Sequence, residues 1–166
     1  PANLVTIIPA ADEQVSTWKY TESQPADDWT SPDFNDSDWK EGRGAFGDTN
    51  YKDFIRTEWG SDDLWLRKEI VMEEELSAPV IKIIHDDDYD LHINGQPLKA
   101  EKGWTPTYKY FKLGEDKAKL FKKGKNTLAV HVNNGSGGQH IDVGIGKAGS
   151  FKADRVITLN IVPQKM

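Results

Sequence analysis

The sequence contains no cysteine, so disulfides cannot stabilise the fold and the redox compartment cannot be inferred. No apolar run approaches the roughly 18 residues of a membrane-spanning helix. Basic residues are in the minority, with 21 Lys and Arg against 27 Asp and Glu, and the net charge is -6. Such a charge argues against nucleic acid or anionic membranes as partners. Disulfide scaffolds, membrane helices and basic nucleic-acid-binding domains are therefore excluded.

An initiating methionine is also lacking, and no basic-then-apolar leader follows Pro1. We therefore expect a processed or excised piece of a larger protein. Its 166 residues suit one domain that buries a hydrophobic core large enough to be stable without disulfide cross-links. We assign residues 1–13 to a leader or linker with a possible first edge strand, and residues 14–166 to the domain itself.

Strand patterns dominate the chain. Tyr89, Leu91 and Ile93 alternate with polar residues, which is the period of a half-buried strand. Asn94-Gly95 then supplies the positive φ angles of a tight hairpin turn. Further strands are predicted over 4–9, 14–21, 64–72, 80–84, 108–113, 126–134, 140–146 and 155–162.

This pattern of short strands with turn-rich connections predicts an all-β fold, an antiparallel β-sandwich of the jelly-roll kind. One short helix is expected over 115–124, with acids at its start and Gly124 as its C-cap. The irregular segment 24–60 should cover the sandwich and carry binding loops.

Two sequence motifs suggest a nucleotide or metal site and fail on inspection. "GRGAFG" at 42–47 matches a dinucleotide-binding pattern, but no strand precedes it and no helix follows, so Phe46 is expected to point inward. The segment from Asp33 has Asp38 and Gly44 where a calcium-binding EF-hand needs glycine and glutamate. Serine nucleophile elbows and zinc-like histidine spacing are absent. The sequence has 27 Asp and Glu residues, so it does not indicate which two carboxylates could form the catalytic pair of a glycosidase.

Three consecutive aspartates, Asp86 to Asp88, follow a strand-forming run and precede the hairpin. They suit a calcium ion, with Asp86 and Asp88 as weak candidate ligands, because calcium prefers oxygen ligands. They suit sugar hydroxyls equally, because a carboxylate accepts several hydrogen bonds. They also suit a solvated bend that binds nothing.

Aromatic side chains offer flat faces to a ring-shaped ligand, but most tryptophans pack in cores. Trp59 and Trp104 lie among polar residues, so we expect these two to be exposed. The remaining tryptophans are assigned to packing: Trp18, Trp29, Trp39 and Trp65. The loop 133–140 is rich in amides and glycine, and Asn134 and His140 could meet hydroxyl groups there.

Five motifs in order carry a resemblance to a known family: "WKYTESQPADDWTSPDFNDSDWKEGRGAFG", "IRTEWGSDDLWLRKEI", "IIHDDDYDLHING", "KKGKNTLAVHVNN" and "GGQHIDVGIG". Together they resemble the galactose-binding-like jelly-roll domain of glycoside hydrolase family 2 β-galactosidases and related glycan-degrading proteins of Bacteroidetes. The resemblance spans about residues 14–146. It implies a noncatalytic domain in an extracytoplasmic protein, with ligands at one end of the sandwich and, in many members, a structural calcium ion. The run "HDDDYD" departs from relatives that carry a glutamate between aspartates.

Our first functional hypothesis is a carbohydrate-binding accessory domain of a larger glycoside hydrolase, with carbohydrate and a neighbouring catalytic domain as partners. The candidate ligand-binding residues are Trp59, Trp104, Arg56, Asp87, Asn134 and His140. The alternative is a structural spacer that packs on a catalytic domain and binds nothing small. A free-standing glycosidase is the third hypothesis.

Overall fold

The computed structural model of the protein describes residues 4–49 and 53–148. In chain order the elements are β1 (Leu4–Ile8), β2 (Thr17–Thr21), β3 (Lys40–Arg43), β4 (Phe46–Gly47), β5 (Thr57–Glu58), β6 (Asp63–Met72), β7 (Pro79–Asp86), β8 (Asp88–Ile93), β9 (Gln96–Glu101), β10 (Lys109–Lys112), α1 (Glu115–Ala118), β11 (Gly124–Asn133) and β12 (His140–Ala148). The strand predicted over 155–162 lies outside the described residues.

The strands form two six-stranded sheets. The first sheet has the order β10-β7-β12-β4-β5, with β1 also paired to β12, and the second has the order β3-β2-β6-β11-β8-β9. The two sheets enclose one hydrophobic core, so the predicted all-β sandwich is confirmed. All pairs are antiparallel except the short β4–β5 pair, which is parallel.

The core consists of the side chains that point between the sheets. On β8, Tyr89, Leu91 and Ile93 are buried as their alternation predicts, and on β6 Leu64 and Leu66 face the same core. The predicted hairpin joins β8 to β9 through Asn94 and Gly95, which both have positive φ, at 51° and 82°. Phe46 is buried as predicted, so its glycine-rich neighbours serve packing.

The helix is shorter than predicted. α1 ends at Ala118, and Gly124 begins β11 instead of capping a helix. Phe121 turns into the core, and the Asn126 side chain binds the backbone N–H and carbonyl of Lys122. These contacts satisfy backbone groups that a longer helix would have used.

The segment between β2 and β3 covers the outer face of the second sheet, as predicted for this part of the irregular region. Arg67 on β6 holds it in place. The guanidinium donates to Asp36 Oδ2 at 2.8 Å and to the carbonyls of Trp29 and Ser31, and it lies 5.2 Å from the Phe34 ring centroid. One buried cation therefore organises a loop that contains no strand of its own.

Candidate functional site

Four loops meet at one end of the sandwich, and we call this region the loop-end rim: residues 59–62, 86–88, 102–105 and 134–139. Each loop follows or precedes a core strand, so the strands fix the ends of each loop. Backbone hydrogen bonds join the loops: Asp87 N–H donates to Asn133 O at 3.2 Å, and Asn134 N–H donates to Asp62 O at 2.7 Å. The bend that contains the three aspartates thus lies against the loop that follows β11.

Asp87 is the centre of the contacts between these two loops. Its Oδ2 accepts the N–H groups of Gly135 at 2.7 Å and Ser136 at 3.3 Å. Among the described residues, Oδ1 has no hydrogen-bond partner, and the side chain is half-buried. Asp87 can therefore accept a further hydrogen bond from a ligand while its other oxygen fixes the loop.

Backbone hydrogen bonds anchor the residues on both sides of Trp104. Gly103 N–H donates to Asp88 Oδ1 at 2.8 Å, and Thr105 N–H donates to the carbonyl of His85 at 2.8 Å. The indole is 59% exposed, which confirms the predicted exposure of Trp104. An exposed indole on an anchored backbone offers a flat apolar face at one end of the sandwich.

Gln139 joins the rim loops and was not identified from the sequence. Its amide donates to the carbonyls of Trp59 at 2.9 Å and Ser61 at 3.0 Å, and its Oε1 accepts from Asn134 Nδ2 at 2.8 Å. Asn134 is thus at the rim, as predicted, with its side chain engaged by Gln139. No feature of the sequence distinguishes Gln139 from the glycines and amides around it.

The expectation that Trp59 is exposed is wrong, because its relative exposure is 0%. β5 pairs with β4, and Trp59 N–H donates to Gly47 O at 2.9 Å, which directs the indole into the core. Its sequence neighbours Glu58 and Gly60 are exposed, which is why the sequence alone suggested an exposed tryptophan. An indole that solvent does not reach cannot stack on a sugar.

His140 is also fully buried, contrary to the expectation that it meets hydroxyl groups in a loop. It begins β12 and pairs with Asp86 on β7 and Gly47 on β4, so neighbouring strands flank it on both sides. The Phe54 ring packs against it edge to face, with centroids 6.2 Å apart. His140 therefore contributes to packing in this conformation.

Arg56 makes backbone contacts away from the rim loops. Its Nη1 donates to the carbonyls of Ala11 at 3.0 Å and Gly44 at 3.1 Å. These bonds help to hold the segment that follows β1 against the first sheet. The structure thus brings Asp87, Asn134 and Trp104 to one rim and gives Arg56 a structural role.

Asp88, one of the two weak candidate calcium ligands, already has other partners. Asp88 accepts from the Gly103 N–H and forms an ion pair with Lys102 at 3.0 Å, and these contacts hold the pKa of Asp88 below its ordinary value. Asp86 is buried at the end of β7. Across 4–49 and 53–148, no three His, Asp or Glu side chains are grouped so as to hold a metal ion.

A second polar cluster lies on the outer face of the first sheet. Asp142 on β12 is buried, and its Oδ2 accepts the Ala11 N–H at 2.6 Å and the Tyr108 hydroxyl. Lys82 on β7 binds Asp12 at 2.7 Å. Within the segment 1–13, which the sequence placed in a leader or linker with a possible edge strand, β1 pairs with β12, and Ala11 and Asp12 contact this sheet.

The Asp142 carboxyl makes stability depend on pH. Burial raises its pKa from the ordinary 3.8 to about 6, although hydrogen bonds from Tyr108 and Ala11 favour the carboxylate. The folded state therefore holds a proton that the unfolded chain has already released, and stability from this group is lost as pH rises from about 4 to about 6. The shift corresponds to about 3 kcal/mol.

Asp142→Asn should remove this dependence, because an amide keeps an acceptor oxygen and does not titrate. Urea denaturation of both proteins across this pH range measures it. We expect the free energy of unfolding of the wild type, relative to the variant, to fall by about 3 kcal/mol with rising pH. Parallel stability curves for the two proteins would show that Asp142 is not perturbed.

The fold and the rim together define a class: a β-sandwich domain with an exposed aromatic residue and carboxylates on the loops at one end. No protein-family model and no curated protein matches the chain. Solved structures do match. A family 2 glycosyl hydrolase from Bacteroides cellulosilyticus is 16% identical with a TM-score of 0.56, and the match covers 86% of this chain and 20% of that one.

Two β-glucuronidases are similar in the same way. The Bacteroides uniformis enzyme is 18% identical with a TM-score of 0.54, and the match covers 79% of this chain and 18% of that one. The Bifidobacterium dentium enzyme is 10% identical with a TM-score of 0.57, over 89% of this chain and 30% of that one. This chain thus spans less than a third of each enzyme. The predicted resemblance to a domain of glycoside hydrolase family 2 proteins is confirmed at the level of the fold.

Proposed function

We propose that this chain is a noncatalytic accessory domain of a larger glycoside hydrolase and that it binds carbohydrate at the loop-end rim. The main observation is that Trp104 is exposed on a backbone that Asp88 and His85 anchor. Asp87 lies on the same rim, and its Oδ1 has no hydrogen-bond partner among the described residues. The match to only 20% of a family 2 enzyme supports an accessory role. The neighbouring catalytic domain of the same polypeptide is the proposed second partner.

In this proposal the apolar face of a sugar ring stacks on Trp104. Asp87 Oδ1 accepts a hydroxyl hydrogen, and the Asn134 amide lies in the adjoining loop. Each hydrogen bond exchanged with water contributes only about 1 kcal/mol, so affinity should be weak and should depend on the stacking contact. A rim held by hydrogen bonds before binding loses little entropy when the ligand arrives.

Trp104→Ala should weaken glycan binding by about five- to thirtyfold, because covering an indole face contributes about 1–2 kcal/mol. Isothermal titration against galactans, xylans and pectic oligosaccharides measures the affinity. Val71→Ala is the matched control, since Val71 is 80% exposed near the end of β6 far from the rim. Binding that Trp104→Ala leaves unchanged would remove the proposed site.

The structural spacer is a competing function because an exposed indole also suits contact with another domain. The same titration separates the two: a spacer gives no heat with any glycan, while its Trp104 becomes protected in the intact protein.

We also propose an extracytoplasmic location, because polymeric glycans lie outside the cytoplasm. Within residues 4–49 and 53–148, no helix has the length and apolar character needed to cross a bilayer.

A further inference from the structure

Negative charge dominates the loop-end rim. Its residues include four aspartates, of which Asp62, Asp87 and Asp88 are at least partly exposed, and a single cation, Lys102. The Lys102 ammonium lies 3.0 Å from Asp88 Oδ2, so its charge is already compensated. An approaching ligand therefore meets the carboxylates of Asp62 and Asp87, which form no ion pair within the part of the chain that the structure describes.

Two backbone donors of the loop-end rim are already engaged by its aspartates. The N–H groups of Gly135 and Gly103 already donate to Asp87 and Asp88. The Asp87 Oδ1 is an acceptor and lacks a partner among the described residues. A sugar hydroxyl can donate to such an oxygen, whereas a ligand carboxylate brings only further acceptors.

We propose that the glycan bound at this rim is uncharged and that chains carrying uronic acids are selected against. This inference rests on the proposed function and specifies its ligand class. Like charges across an exposed site repel modestly in water, and salt screens the repulsion. We therefore expect the acidic form of a bound glycan to bind about three- to tenfold more weakly at low ionic strength.

The test uses the full chain and one neutral polysaccharide that binds in the titration above. Its primary hydroxyls are partly oxidised to carboxylates, and a portion of this product is methyl-esterified. For a xylan, which lacks such hydroxyls, the form with glucuronate substituents and its methyl ester take their place. The acid and the ester differ in charge and by one methyl group and have the same hydroxyls, so their affinity ratio separates the electrostatic effect from lost hydroxyl contacts.

We expect the ester to bind more tightly than the acid at low salt, with a ratio that shrinks as salt rises. Asp87→Asn and Asp62→Asn should each reduce the ratio. Asp116→Asn in α1, away from the rim, should leave it unchanged and serves as the matched control. Thermal unfolding of each variant checks that the fold is retained, and Asp62→Asn keeps the test valid if Asp87→Asn loosens the loop.

Equal or tighter binding of the acid would overturn this inference and leave the proposed carbohydrate function standing. Binding of acidic glycans alone would likewise overturn only the inference. If no glycan of either kind binds a folded sample, the proposed function fails, and the inference fails with it.

Discussion

Trp59→Ala is expected to lower the free energy of unfolding by about 3–5 kcal/mol, because it removes a fully buried indole and leaves a cavity. The side chain has no exposed surface and belongs to the core between the sheets. The backbone there is fixed, since the Trp59 carbonyl accepts from Gln139 and its N–H donates to Gly47, so the site cannot readily collapse to fill the cavity.

Trp104→Ala is the matched control for this prediction, because it makes the same truncation on an exposed side chain. It should change stability by no more than about 0.5 kcal/mol, as surface substitutions generally do. Urea denaturation followed by far-ultraviolet circular dichroism measures both variants. Equal losses for the two tryptophans would contradict the burial of Trp59 or the exposure of Trp104.

Arg67→Ala should destabilise the protein by about 2–4 kcal/mol, because it removes a buried guanidinium and leaves the groups that it bonded without their donor. The Arg67 side chain is 1% exposed. Its loss would leave Asp36 and the carbonyls of Trp29 and Ser31 without their donor. Proteolysis should then cut first between β2 and β3, where the loop has lost its anchor.

Arg43→Ala is the control, since Arg43 lies exposed on the edge strand β3. Its effect should stay within about 0.5 kcal/mol. Comparable stability of the two arginine variants would mean that the covering loop is held by its own aromatic contacts, such as that between Phe34 and Trp39, instead of by the guanidinium.

The strands were predictable because side chains alternate where one face is buried. Tyr89, Leu91 and Ile93 show this period, and the Asn94-Gly95 pair marks the turn that follows. The helix boundary was not predictable, since the Asn126 amide that replaces helical hydrogen bonds comes from the next strand. Local propensity does not contain such a contact.

The candidate site was partly predictable for the same reason. Asp87, Asn134 and Trp104 belong to loops between recognisable strands, and such loops meet at sandwich ends. Trp59 and His140 lie at strand ends whose pairing with β4 buries them, and that pairing is a tertiary contact. Polar sequence neighbours therefore suggested exposure where the sheet imposes burial.

Titration of a ¹⁵N-labelled sample with a binding glycan shows whether Trp104 forms the carbohydrate contact at the rim. The sequence has six tryptophans, and each indole N–H gives its own signal in a proton–nitrogen spectrum. We predict that the Trp104 indole shifts with added glycan together with the amides of 87 and 134–136, while the buried indoles of Trp18 and Trp59 stay in place. A saturating shift elsewhere with Trp104 unmoved, or no shift with any glycan, would contradict the account.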